Sequence, residues 1–254
     1  MPVYLLVCAV AASLTLAVVG SPSGLPIGPS ARQNITAQPP YMNACAEQGG
    51  TSRACISASV AAIDNARQAE PMLTPDLVLP SNYRSLSPAR QAFVVIDLER
   101  VDRGLRPLAG MVARLNHAAA RGARAGADPD PSYRALRHLH VRAYRTVFAR
   151  DYGVLAADYE WMYDDGYSPG AGDTTNASCP WPGASGCWAH RASILDRFLG
   201  MPILIAGMGE APGPGGTDSV TGILAGTRAY PHHFTYTWRD ALSHGADGYR
   251  SSEQ

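Results

Sequence analysis

"MPILIAGMGEAPGPGGTDSVTGILAG", Met201 to Gly226, decides the fold. Two short runs rich in Ile, Leu, Val and Thr flank "APGPGG", a Pro/Gly stretch of the kind that closes a hairpin. A third short run, "HFTYTW", follows at His233 to Trp238 and has the same β-branched and aromatic character. These runs predict an antiparallel sheet in the last quarter of the chain.

Upstream of the sheet the spacing is helical. Ile56, Val60, Ile63 and Arg67 recur at three to four residues, and Pro71 ends that run. In "SLSPARQAFVVIDLERVDRGL", Ser87 suits a cap, Pro88 the first helical position and Gly104 the exit. A third helix is predicted over Met111 to Ala125. A fourth, opened by Ser132, is predicted to carry Leu136, Leu139, Ala143 and Val147 as its core stripe. A fifth is predicted over Leu155 to Tyr163, and a short one over "HRASIL". Helices first and strands last indicate an α+β fold with an antiparallel sheet.

The chain of 254 residues is 46% apolar and 17% charged, which suits one domain with a sizeable core. Its formal charge is zero, with 21 arginines and no lysine, so nucleic acid is not an expected partner. "MPVYLLVCAVAASLTLAVVG" has the apolar run and small-residue end of a signal peptide, with cleavage expected after Gly20 and Cys8 discarded with it. The run is short for a membrane span, which needs about 20 residues. Residues 21–44 are Pro-, Gly- and Ser-rich and predict a flexible leader. The domain is placed at 45–242 and a polar tail at 243–254. Asn34 and Asn176 open N-x-[ST] sequons, to which no role is assigned.

Cys45, Cys55, Cys179 and Cys187 then form an even set in an oxidising compartment. Four cysteines permit three pairings, and spacing favours Cys45 with Cys55 and Cys179 with Cys187. Free buried thiols and zinc ligation are the alternatives, although neither pair has the two-to-four-residue gap of a zinc knuckle.

Among seven histidines, His190 has the most specific surroundings. It sits between Trp188 and Arg191, just after the second cysteine pair and at a helix start, where a side chain loses little entropy on ordering. His117 falls on the polar face of the third helix with Arg114 and Arg121, a face that either meets solvent or lines a cleft. Glu160 borders the stripe of Leu155, Tyr159 and Met162, and Glu99 is spaced for a structural ion pair. His140 is expected to pack and His138 to be wet, while His232 and His233 begin a strand. Asp164 and Asp165 are turn formers by type.

Several segments together resemble the CAP superfamily, named for cysteine-rich secretory proteins, antigen 5 and pathogenesis-related 1 proteins, in its divergent branch of secreted bacterial proteins. They are "LERVDRGLRPLAGMVARLNHAAARGA", "AADYEWMYDDG", "TTNASC" and "GCWAHRASIL", the last similar to the family's G-H-R-x-x-I-L signature. The resemblance spans Cys45 to Trp238. It implies a three-layer α-β-α sandwich with a cleft that in many members holds two histidines and two acidic residues around a divalent metal such as zinc. His190 matches the signature histidine, His117 the first histidine, and Glu160 stands in for the acid of the missing G-E-N triplet. Ala189 replaces the usual glycine, and the fourth ligand has no counterpart.

The expected function is that of a secreted or envelope-associated monomer that binds a lipid, sterol, glycan or cell-wall fragment without turnover. The enzymatic alternative is a metal-assisted hydrolase of peptide or cell-wall amide bonds, in which His117 and His190 hold the ion and Glu160 activates water. The third reading is a structural envelope protein.

Overall fold

The computed structural model describes residues 34–35, 41–70, 73, 76–168, 176–229, 231 and 233–246. The expected signal segment, Cys8, most of the leader, Pro71, His232 and the last eight residues lie outside them. Among the described residues the elements run α1 (Tyr41–Gln48), α2 (Arg53–Arg67), α3 (Pro88–Val101), β1 (Gly110–Met111), α4 (Ala113–Ala125), α5 (Tyr133–His138), β2 (Val141–Asp151), α6 (Val154–Tyr163), α7 (Ala189–Ile194), β3 (Ile203–Pro212), β4 (Asp218–Thr227), β5 (Tyr236–Thr237) and α8 (Trp238–Leu242). The fold is α+β.

The sheet has the order β2-β4-β3-β1-β5. It is mixed rather than wholly antiparallel, because β1 runs parallel to β3 while the other pairs are antiparallel. A parallel pair needs a long crossover, and everything from α4 to α7 lies between these two strands.

Alternation along the strands divides the core in two. Leu204, Ala206, Met208 and Leu224 face the layer of α2, α3, α6 and α7. Ile205, Ile223 and Ala225 face α4, which contributes Leu115, Ala118 and Ala119. The α4 backbone lies unusually close to β3. A Cβ on Gly207 would stand 2.2 Å from the Leu115 carbonyl carbon, and one on Gly209 2.3 Å from the Ala120 nitrogen. Only glycine permits that approach.

Several expectations change. The predicted fourth helix stops at His138, and Ala143 and Val147 belong to strand β2. His140, with φ 52°, makes the break and is exposed rather than packed. Helix α1 begins at Tyr41, inside the stretch expected to be a flexible leader, and is anchored by the Cys45–Cys55 disulfide and by the Tyr41 hydroxyl donating to Asp151 at 3.0 Å. His233 lies ahead of β5 instead of beginning it. Beyond α8, the Ser81 amide donates to the His244 carbonyl at 2.8 Å, so the chain remains attached there.

The helical layer is held by buried charge as well as apolar contact. Glu99, fully buried, meets Arg67, Arg103 and the Tyr163 hydroxyl; Arg67 also reaches Asp102, and Glu70 bridges Arg103 and Arg191. This set ties α2, α3, α6 and α7 together. Arg100 is not the partner of Glu99, as its guanidinium instead donates to the carbonyls of Ile194, Asp196 and Arg106.

Candidate functional site

The site is a corner where the end of α6 meets the start of α7, closed by the Cys179–Cys187 disulfide. Its centre is Asp165. Oδ2 accepts from the backbone amides of His190 at 2.8 Å and Arg191 at 3.2 Å, so this carboxylate caps α7 from a distant segment. Oδ1 lies 2.9 Å from Nδ1 of His190 and accepts from the Asn176 amide at 2.7 Å. The Asp165 carbonyl accepts from the Trp188 amide at 2.9 Å.

Trp188, at the cap position with φ 59°, is held over Gly166, where a Cβ would stand 2.6 Å from the indole. A tryptophan in the left-handed region is costly, and the close seat on Gly166 helps hold it there.

Asp165 therefore does two jobs with one carboxylate: it starts a helix and orients an imidazole. With Nδ1 engaged, Nε2 is the nitrogen available to a ligand. His190 keeps 27% of its side chain exposed. Burial works to lower its pKa, but the Asp165 hydrogen bond and charge, with a further contribution from Asp128, outweigh burial and raise it. The Asp165 carboxyl is itself raised by burial, against the pull of His190 and the two amides.

Glu160 lies half-buried on α6. Burial, then the charges of Asp151, Asp164 and Asp165, raise its pKa well above the ordinary carboxylate range. A half-buried acid and a partly exposed imidazole thus share one charged neighbour, Asp165.

His117 is elsewhere. It is exposed on α4, whose Leu115 and Ala119 pack the other face of the sheet from the layer that holds Ile194 and Leu195 of α7. Among the described residues, no group of three or more His, Cys, Asp or Glu side chains is placed to hold a metal ion. The described residues therefore do not fit the metal site that the family resemblance implies.

Two members of the corner were missed from sequence. Asp165 carried only a turn signal, although "DDG" closing an amphipathic helix ahead of a cysteine loop was the available clue. Asn176 was noted only as a sequon, yet its amide bonds Asp165 and the Gly186 carbonyl, and its Oδ1 accepts from the Ser178 amide.

Both cysteine pairings favoured by spacing are present as disulfides. No helix among the described residues is long and apolar enough to cross a membrane. Comparison with known proteins gives no match, either to a family model or to a curated protein sequence.

Proposed function

We propose that this chain is a secreted, disulfide-stapled domain of the CAP type that binds an extracellular glycan or cell-wall fragment at the His190–Asp165 corner without turning it over. The observation that carries the reading is the partly exposed His190, fixed through Nδ1 by a buried carboxylate. Sugar hydroxyls need hydrogen-bonding groups held in fixed positions, and an imidazole locked through Nδ1 supplies one at Nε2. Trp181, in the same disulfide loop, is 62% exposed and offers the apolar ring face that sugar C–H groups pack against. The two disulfides favour an oxidising compartment.

Calorimetric titration with a chitin trimer and with a disaccharide-peptide cell-wall fragment tests this reading, comparing wild type with Trp181→Ala and His190→Ala. Binding to either fragment that both substitutions weaken at least tenfold supports it. Equal heats from the three folded proteins refute it.

A second reading, hydrolysis of the same fragments, is favoured by the raised pKa of Glu160. A carboxyl group whose pKa is raised by burial is suited to act as a general acid. Release of a cleaved product in that titration, lost in Glu160→Gln, would favour hydrolysis over binding alone.

A further inference from the structure

At one end of the sheet, register brings together Val141 of β2, Thr227 of β4 and Ile203 of β3. Three segments therefore converge there: α5 with His140, the Phe198–Pro202 turn before β3, and Arg228 after β4. The Thr227 hydroxyl fastens the first of these to the third, lying 2.6 Å from the Leu139 carbonyl and 3.2 Å from those of His140 and Ala229. On one side of the strand ends Leu136 and Leu139 pack beside α4; on the other, Phe198 and Met201 lie over Gly226.

The charge at this end is mostly basic, with the exposed Asp130 three residues before Tyr133 at its border. Residues 133–142, 197–202 and 227–229 contain no acid, and Arg134, Arg137, Arg142, Arg197 and Arg228 are all exposed. The adjacent Asp196 is engaged by Arg145 at 2.6 Å. A depression of about 480 Å³ is lined by Tyr133, Arg134, Arg137, His138 and His140. The same end carries two strongly exposed apolar residues, Leu199 at 83% and Tyr133 at 77%.

From this geometry we infer that the end of the sandwich bearing α5 and the Leu199 turn docks on an anionic phospholipid surface. Arginines recognise phosphate through a planar fork and are drawn to a negative surface, and a tyrosine sits at the interface between headgroup and acyl chain. A soluble phosphate would need the arginines but not Leu199. A membrane surface uses both, because the exposed leucine enters the headgroup boundary while the cations stay outside it. Neither Arg134 nor Arg137 has a carboxylate partner among the described residues, so docking breaks no ion pair.

Vesicle sedimentation of the full chain tests this, using phosphatidylcholine vesicles with and without 30% (roughly one lipid in three, a usual anionic load) phosphatidylglycerol. Wild type is compared with Arg134→Ser/Arg137→Ser and with Leu199→Ser. All share the apolar first twenty residues, so differences report the docking end, and thermal melts check that each variant folds. The expected result is binding that needs phosphatidylglycerol, weakens with salt, falls on the order of 30-fold in the arginine pair, and also falls in Leu199→Ser. Equal binding by wild type and both variants, or equal binding to neutral vesicles, overturns the inference. Loss in the arginine pair with full retention in Leu199→Ser also overturns it, since the surface would then be a site for soluble anions.

Discussion

Nδ1 of His190 lies 2.9 Å from Oδ1 of Asp165, and the same carboxylate accepts the His190 and Arg191 amides through Oδ2. The imidazole and the helix that carries it are thus fixed by one side chain 25 residues upstream. The charge of that side chain governs how the site titrates.

Asp165→Asn keeps an oxygen for the helix amides but removes the charge. The His190 pKa is expected to fall, since the carboxylate is what raises it against burial. A group whose folded pKa is raised contributes stability that is present in full below its unfolded pKa, about 6.5, and lost as pH rises through the folded value. The wild-type advantage over Asp165→Asn in thermal melting should therefore be larger at pH 6 than at pH 9. Asp165→Ala, which also loses the cap, should cost a further 1–2 kcal/mol or so. NMR titration of the His190 ring and melts at the two pH values check both.

Glu160→Gln is expected to stabilise the protein at alkaline pH. The raised folded pKa of Glu160 means that its neutral form suits the fold, so its contribution is greatest below about pH 4.5 and is lost as pH rises through the folded value. Gln keeps the shape and cannot ionise. Its melting temperature should exceed wild type by about 2–4 °C at pH 8 and match it near pH 4.5.

Glu99→Ala strips the shared partner from Arg67 and Arg103 and leaves two guanidinium groups buried in the helical layer. The expected loss is about 3–5 kcal/mol, measured by urea denaturation. Replacing an exposed charge such as Arg121 should change stability by less than about 0.5 kcal/mol.

The two disulfides should separate under mild reductant. Cys45 and Cys55 are buried, whereas Cys187 is partly exposed, so the Cys179–Cys187 bond is expected to open first. Mass spectrometry of alkylated thiols over time orders the two events. Cys45→Ser/Cys55→Ser should cost about 2–3 kcal/mol, from the closed loop it releases.

The best-marked elements were legible in sequence for local reasons: Pro88 and Gly104 bound α3, and the "APGPGG" loop separates β3 from β4. Strand β2 was not, because Leu139, Ala143 and Val147 are spaced by four. That spacing fits one face of a helix and equally one face of a strand, where every second residue points the same way. In the structure Ala143, Val147 and Ala149 share the strand face toward α6, and the break is made by His140. Helix α1 was hidden because it owes its place to Cys45 and Tyr41 rather than to a periodic stripe. At the site, His190 was identified from its neighbours in sequence, but its partner was not. The Asp165–His190 contact joins segments 25 residues apart, and no local pattern encodes which of two adjacent aspartates turns inward.

The most direct measurement of the central claim is a two-dimensional NMR titration of the folded protein with the disaccharide-peptide cell-wall fragment, following the His190 imidazole, the Trp181 indole and the backbone of residues 160–166 while the fragment's own spectrum is recorded. Saturable shifts are expected at these three places, with their loss in His190→Ala and an unchanged fragment after prolonged incubation. Shifts absent from all three, or unaltered by the substitution, would contradict the claim.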